Sequence, residues 1–412
     1  MNILISGAGI AGTTLAYWLA RHGMSATVVE RAAGLRSSGS PVDVRGPAME
    51  VAGRMGVLPR LRAAATRVNR MSFVDAAGRR VGGMRLGRAD GGEVELRRTD
   101  LARILTEAAR DHAEFVYGDS IARLTQDGGG VDVEFEGGAR RRFDLVVGAD
   151  GLHSNVRRLA FGPESRFVRH LGLYVATLPF HGEVPDPSEV VMYNAPGRSA
   201  TLHPSYGEAV AAFIFHAPAL PGFDPRNTAQ HRRLLRTAYR EPAWRLPELL
   251  EQVATTDDLF FDAVSRVRLD TWSRGRVTLV GDAASSVSLF GDGSTLAMAA
   301  AYTLAEELST NLPTTTTNLP ATTTNLPAIT TPLPAITTPL RDSQPTAHPP
   351  TTPAHAHTTS ALATALARYE RRHRALADPR HRHVLATSRL LIPKTRYGLA
   401  TRNLLTRLLP TP

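Results

Sequence analysis

MNILISGAGIAGTTLAYWLARHGMSATVVE, residues 1–30, decides how this chain folds. Residues 2–6 are a short apolar run, enough for one buried strand. Gly7-Ala8-Gly9-Ile10-Ala11-Gly12 then reads G-x-G-x-x-G, residues 13–21 continue with helical apolar spacing, and a second apolar run at 26–29 ends on Glu30. Strand, glycine turn, helix, strand and terminal acid together make the dinucleotide-binding fingerprint in its required context. Each part has a physical task. Gly7 permits the tight turn, Gly9 lets the backbone approach a pyrophosphate, and Gly12 allows helix and strand to pack closely. The helix N-terminus offers Ile10, Ala11 and their neighbours as free N–H groups with a partial positive charge. Glu30 is suited to accept hydrogen bonds from both hydroxyls of a ribose. The pattern predicts an α/β, Rossmann-like nucleotide-binding domain without distinguishing FAD from NAD.

Composition narrows the class. The 412 residues suffice for two domains and a sizeable core, and 42% hydrophobic content fits a globular protein. No run approaches the ~18 consecutive apolar residues of a membrane span. The first strand begins at residue 2, and no signal peptide is expected. The sequence contains no cysteine, which removes disulfides, thiolate catalysis and Cys-based metal sites. A cytoplasmic enzyme is the expectation. Net charge is +10, from 48 Lys+Arg against 38 Asp+Glu. The arginines are scattered instead of interleaved with aromatics, which reads as a solvated surface and not a nucleic-acid-binding stripe. The positive bias also suits phosphorylated cofactors and anionic substrates.

Beyond Glu30 and Arg31, a Gly/Ser loop at 34–41 leads into residues 42–46. Arg45 there reads equally as a cofactor contact or as an ordinary surface arginine. Residues 47–65 read as helix, interrupted near Gly56 and Pro59. Residues 71–81 alternate and turn at Ala77-Gly78, a hairpin leaving the nucleotide domain. Arg97-Arg98-Thr99-Asp100 opens a helix to Arg110, with Thr99 or Asp100 as cap. Residues 115–148 form a meander with turns at 127–130 and 136–138, ending in Gly148-Ala149-Asp150-Gly151. Strands at 190–194, 198–203 and 208–216 and a helical stretch at 229–253 mark a second domain of mixed sheet. One more buried strand ends at Gly281-Asp282-Ala283-Ala284, followed by a loop and an apolar helix over 294–308.

From Asn311 the chain repeats NLPTTTT, NLPATTT, NLPAITT, PLPAITT with a period of seven. Proline in every unit excludes a coiled coil, and an extended linker through about Thr359 is the expectation. Residues 361–377 and 385–409 read as helices. His355, His357, His381 and His383 lack carboxylates at ligand spacing and predict no metal site. The basic C-terminal helix carries Leu404, Leu405, Leu408 and Leu409. Contact with a membrane surface is one reading of these leucines, and packing against the protein's own body is the expected one.

Three separated motifs, Gly7-x-Gly9-x-x-Gly12 with Glu30, Gly148-Ala149-Asp150-Gly151, and Gly281-Asp282-Ala283-Ala284, occur in the order that resembles the single-component FAD-dependent aromatic hydroxylases. These are the p-hydroxybenzoate hydroxylase-like flavin monooxygenases, and the resemblance is nearest to bacterial members acting on tetracycline- or polyketide-type compounds. It covers nearly the whole chain outside 311–359. It implies that Gly7, Gly9 and Gly12 hold the FAD pyrophosphate and Glu30 the adenosine ribose. Arg45 and Arg98 match positions that contact FAD. Asp150 and Gly151, with Ser154 and Arg157 behind them, match a motif linked to FAD and NAD(P)H. Asp282 matches the acid that hydrogen-bonds the ribityl chain. Gly291 and Gly293 begin the helix whose N-terminus faces the flavin, where it stabilises negative charge on the reduced ring. Two departures stand out: Ser285 to Phe290 has no proline, and the Thr/Pro tract replaces a short connection.

The resemblance divides the chain into an FAD-binding domain (1–70, 96–165 and 265–310), a substrate domain (71–95 and 166–264), the 311–360 linker and a helical region at 361–412. It implies reduction of FAD by NADPH or NADH, then O₂ activation as a flavin C4a-hydroperoxide that hydroxylates or epoxidises an aromatic or polyketide-like molecule. The protein's tasks are orientation and exclusion of water, so no catalytic acid, base or nucleophile is nominated. Tyr193, His203 and His216 lie on second-domain strands, where core or surface placement is expected over pocket lining. The alternatives are a flavoprotein reductase or dehydrogenase without oxygen insertion, and a non-catalytic FAD-binding protein. No nucleic-acid partner and no stable membrane insertion are expected, and the protein is read as a monomer or homodimer.

Overall fold

The computed structural model describes residues 1–34, 40–86, 92–205, 209–287, 289, 292–312 and 353–408. β1 (Asn2–Ser6), α1 (Ile10–Arg21) and β2 (Ser25–Glu30) form the opening β-α-β unit. β3 (Pro41–Arg45), α2 (Pro47–Arg54) and α3 (Leu58–Ala63) follow, then the antiparallel pair β4 (Arg70–Val74) and β5 (Arg80–Arg85). β6 (Glu93–Arg97) runs straight into α4 (Arg98–Ala109). Next come β7 (Glu114–Tyr117), β8 (Ile121–Gln126), β9 (Val131–Phe135), β10 (Arg140–Phe143) and β11 (Leu145–Gly148), closed by α5 (Asn155–Phe161).

The middle of the chain supplies β12 (Val168–Phe180), β13 (Glu189–Ala195), β14 (Arg198–His203) and β15 (Ala209–His216). α6 (Thr228–Ala238), α7 (Leu246–Thr255) and β16 (Phe260–Val267) complete it. The chain then returns through β17 (Ser273–Arg274), β18 (Val277–Leu279), β19 (Ser286–Val287) and α8 (Gly293–Asn311). It finishes with α9 (Pro353–Leu391) and α10 (Arg396–Leu408).

Two large sheets result. The first has the order β17-β18-β11-β1-β2-β7, parallel except at the β17–β18 edge. β1 is flanked by β2 on one side and β11 on the other, so the strand order reverses at its carboxyl end. Crevices for ligands open at such reversals. The apolar runs of β1 and β11 are buried along almost their full length, as a sheet covered on both faces requires. The second sheet has the order β19-β16-β12-β15-β14-β13-β4-β5. One face packs on α6 and α7 through Tyr174, Phe180, Phe213, Phe215, Leu235 and Leu249. β8, β9 and β10 form a small meander, and β3 pairs with β6 as a two-stranded ribbon.

Several expectations need correction. The 13-residue β12, central to the second sheet, went unread, as did β16. Period-two alternation is weak in both, because the apolar residues of β12 serve both faces of the sheet. The helical stretch at 229–253 is two helices, broken where Trp244 adopts φ 46°. Neither Thr99 nor Asp100 caps α4: Arg97 is the N-cap, and the Asp100 carboxylate accepts from Arg97 Nε at 2.8 Å. α9 begins at Pro353, inside the segment read as linker, and continues through Pro379 to Leu391. A proline there sacrifices one helical hydrogen bond. The helix is held on both sides of it, by Tyr369 Oη donating to Leu279 O (3.0 Å) and by Ile392 buried against the second sheet. The heptad repeats at 313–352 and Leu409 lie outside the described residues, as do the side chains of His355, His357, His383 and Leu408.

Candidate functional site: a crevice where three motifs converge

The glycine turn is dictated by contact. Gly7 has φ 108°, and a Cβ there would stand 2.6 Å from the Ala149 carbonyl oxygen. A Cβ at Gly12 would overlap the Gly7 carbonyl oxygen itself. Gly9 differs, because nothing lies within 4 Å of where its Cβ would be. It is the N-cap of α1, with no capping side chain and no acid in the first turn. The first-turn amides, ahead of the buried Ile10 and Ala11, are thereby left for a ligand of negative charge. A cradle bounded by tight glycines, with an open approach at Gly9, fits a dinucleotide pyrophosphate.

Glu30 ends β2 with its carboxylate already anchored. Oε2 accepts from Ala8 N–H and Oε1 from Ala32 N–H, both at 2.9 Å. It therefore ties the glycine turn to the second strand, and each oxygen keeps a lone pair for a ribose hydroxyl. Arg31 beside it is exposed.

The second motif packs directly on the first, through the Ala149 carbonyl against Gly7. Asp150 spends its carboxylate on local structure. It accepts from Ser154 Oγ and from Val156 N–H (2.9 Å), and Ser6 Oγ lies 3.5 Å away. Burial raises its pKa, against the lowering by Ser154 and Val156. Gly151 has φ 77°. Ser154 caps α5 by accepting from Arg157 N–H at 3.0 Å. The fully buried Arg157 donates to Ala283 O (3.1 Å) and Leu152 O (2.6 Å). Arg157 thus joins the second motif to the third from within, while Ser154 ties Asp150 to the start of α5.

The third motif closes the crevice. A Cβ at Gly281 would approach the Ala11 Cβ to 2.9 Å, and Asp282 Oδ1 lies 3.8 Å from where the Gly293 Cβ would be. Asp282 is therefore at the N-terminus of α8. The residue between the predicted glycines, Asp292, was missed by the sequence reading. It holds a left-handed φ of 56° without being glycine, an outlier of the kind that collects at functional sites. Its carboxylate pairs with the Arg45 guanidinium and, at 3.5 Å, with Arg380 Nε. Arg45 N–H also donates to Thr295 Oγ1 at 3.1 Å. Arg45 is thus bound to the start of α8. Arg98 stands at the other end of the β3–β6 ribbon, exposed and without an ion pair among the described residues. Gly291 lies outside the described residues.

The missing proline of the 285–290 loop has a structural counterpart. Ser286 and Val287 form β19 and pair with Val267 and Arg266 of β16, so the loop is pinned by a β-bridge to the second sheet. Beside it a cavity of about 240 Å³ is lined by Ser285, Arg266, Arg268, His381 and Arg382 among others. Those three arginines make no ion pair among the described residues. His381 is buried there, with Nδ1 3.4 Å from Ser285 Oγ and Nε2 unpartnered. Burial first, then Arg266, lowers its pKa.

The second sheet turns a face that includes three polar side chains toward the crevice. Because Tyr174, Ala176, Ala200, Leu202, Ala211 and Phe213 face the helices, alternation puts Thr177, Thr201 and His203 on the opposite face, all buried. Ser40 Oγ donates to Thr177 Oγ1 at 3.0 Å, and His203 Nε2 stands 3.3 Å from Glu95 Oε1 of β6. Of the three second-domain candidates, only His203 reaches this boundary. Tyr193 stacks on Trp244 in the α6–α7 core, and His216 Nδ1 bonds Gly172 O at 3.2 Å.

One more contact crosses between the sheets. His153, two residues after Gly151, places Nδ1 3.1 Å from Glu164 and Nε2 3.3 Å from Asp262 of β16. Hydrogen bonds donated to Asp262 and then to Glu164 raise its pKa to about 9. Among the described residues no group of His, Asp and Glu could hold a metal ion, and no helix is long and apolar enough to cross a membrane.

Comparison with known proteins agrees with this geometry. The family described as FAD binding domain matches residues 1–319. A flavin-dependent monooxygenase of Legionella longbeachae is 33% identical over 314 residues, covering 75% of this chain and 80% of its own. An uncharacterised protein of Mycobacterium tuberculosis is 42% identical over 323 residues, covering 74% and 84%. The crystal structure of tetracycline destructase Tet(51) superposes with a TM-score of 0.76 at 25% identity, over 100% of this chain and 99% of that one. With the family match spanning most of its length, the chain belongs to the FAD binding domain family and is an FAD-dependent oxidoreductase of the flavin monooxygenase type.

Proposed function

We propose that this protein consumes NADPH or NADH and O₂ to insert one oxygen atom into an aromatic or polyketide-like small molecule. The second oxygen leaves as water, and the hydride donor leaves oxidised. The observation that carries this reading is the convergence of two helix N-termini, α1 at Gly9 and α8 at Gly293, on one crevice beside Thr177, Thr201 and His203 of the second sheet. Bound there, FAD would supply hydride acceptance and oxygen activation.

The chain's own residues divide the remaining work. Gly7, Gly9 and Gly12 admit the pyrophosphate to the α1 amides, Glu30 holds the ribose, and Arg45 and Arg98 balance the phosphates. Asp282 accepts from the ribityl hydroxyls, and the α8 N-terminus favours negative charge on the reduced ring. Thr177, Thr201 and His203 orient the substrate and keep water out. The arginines beside Ser285, which outnumber the one acid of the same cavity, Asp378, suit the phosphates of the hydride donor. In the domain division that goes with this reading, the first sheet binds cofactor and the second binds substrate.

Anaerobic addition of NADPH to the purified holoprotein tests the reading, followed by turnover under ¹⁸O₂ with tetracyclines and polycyclic phenols. Bleaching of the flavin bands and one ¹⁸O atom in the product are expected. NADPH oxidation that yields only hydrogen peroxide with every compound would point to a reductase instead.

A further inference from the structure

The C-terminal helix α10 is built inside out. Its buried face carries Arg402, 3% exposed, and Thr406, 4% exposed. Arg402 lies 3.7 Å above the Phe73 ring and donates to Asn194 Oδ1 at 3.0 Å, and burial lowers its pKa to about 10. Thr406 sits against Gly82, where a Cβ would overlap its hydroxyl. The opposite face presents Tyr397 at 87% exposure, Leu404 at 59% and Leu405 at 56%. Spacings of seven and eight residues put these three within one helical stripe, and Ala400 and Thr401 between them are also exposed. Leu404 and Leu405 therefore do not pack on the protein's own body as expected. An exposed Leu alone is ordinary, but an uncharged stripe on a helix that buries its arginine is not.

The surroundings of the stripe have one sign of charge. After Asp378 the sequence contains no Asp or Glu, while Arg380, Arg382, Arg389, Lys394, Arg396, Arg402 and Arg407 follow. Arg389, Lys394 and Arg396 are exposed, and none forms an ion pair among the described residues. Some exposed arginines elsewhere pair with carboxylates, as Arg54, Arg79, Arg103 and Arg142 do, but this segment holds no acid for its cations to meet. Leu390, at the end of α9, adds a fourth exposed apolar side chain.

From this arrangement we infer that α10 docks the protein on an anionic lipid surface. The helix lies in the plane of the headgroups, its Tyr397–Leu404–Leu405 stripe entering the acyl boundary and Arg389, Lys394 and Arg396 meeting lipid phosphates. Aromatic and leucine side chains on one side with basic residues at the margins is the composition such interfacial helices need. A second copy is a poorer occupant, because a two-fold contact on this stripe would bring the same uncompensated cations toward each other. The inference is independent of the substrate reading.

Vesicle co-sedimentation of the FAD-loaded protein tests it. Vesicles of phosphatidylcholine alone are compared with phosphatidylcholine containing one-third phosphatidylglycerol, at low and high salt. Binding to the anionic vesicles, weakened by salt and absent on neutral ones, is expected. Leu404→Asp with Leu405→Asp should lower that binding at least tenfold, as should Lys394→Glu with Arg396→Glu. Both double variants should retain wild-type flavin absorbance per protein, since these side chains are solvent-facing. Failure to pellet with anionic vesicles at low salt overturns the inference, as does equal binding to neutral ones. Undiminished binding by the Leu404/Leu405 variant removes the stripe from the contact. Dimers dispersed by that variant without any lipid binding would assign the stripe to a second copy.

Discussion

The two large sheets present their chemistry in opposite ways. In the first, the crevice is made by backbone: Gly7 against the Ala149 carbonyl, Gly12 against Gly7, Gly281 against Ala11. Each contact tolerates one residue type, so each leaves a mark in the sequence. In the second, the face turned to the crevice is made by side chains, Thr177, Thr201 and His203, held by ordinary β-alternation. Many residues would satisfy that geometry, so the ones present leave no mark in the sequence. A crevice made of backbone is written in glycine, whereas a face made of side chains is written in residues with no signature.

Changing the first sheet should therefore be far more damaging. Gly12→Ala puts a methyl group where the Gly7 carbonyl oxygen stands, and backbone on both sides cannot yield as a flexible side chain would. The expected outcome is protein without flavin, read as loss of the absorbance near 450 nm relative to protein absorbance. If Gly12→Ala kept its flavin, the crevice would have to lie elsewhere. Arg45→Ala should be milder. It removes one charge-assisted contact and frees Asp292, and should raise the FAD dissociation constant about tenfold, roughly 1.4 kcal/mol, measurable by flavin fluorescence quenching.

Substitutions on the second sheet should leave flavin content alone. Thr201→Val keeps the shape and deletes the hydroxyl. It should lower kcat/KM about fivefold, roughly 1 kcal/mol, for any compound that accelerates NADPH oxidation by the unmodified protein. An unchanged kcat/KM would move the substrate away from this face and weaken the contrast between the sheets.

How much of this was legible follows from the same division. The β-α-β opening, the three motifs and the meander could be read because turn chemistry and apolar runs are local signals. β12 was not, since a central strand with apolar residues on both faces lacks alternation. Asp292 was not, because the partners of its carboxylate, Arg45 and Arg380, are distant in sequence by 247 and 88 residues respectively. α10 was read with its faces reversed: leucine spacing marks a stripe but does not say whether protein or something else covers it. The Arg157 bond to Ala283 O, 126 residues away, likewise left no local signal.

The smallest expected effect concerns the contact that joins the sheets. His153, between Glu164 and Asp262, has its pKa raised from 6.5 to about 9. The folded state therefore holds its proton more tightly than the unfolded chain. Its contribution is complete below about pH 6.5, declines above that, and is gone once pH passes about 9. His153→Gln should accordingly lower the melting temperature by a degree or so at pH 6, and by nothing measurable at pH 10, when both proteins are scanned with FAD bound. The side chains are partly exposed, so the gap should also shrink in high salt. A gap that stayed constant across pH would mean that the imidazole packs between the sheets without carrying charge. The coupling of the two sheets would then rest on the β19 bridge and on the Ser40–Thr177 and His203–Glu95 contacts.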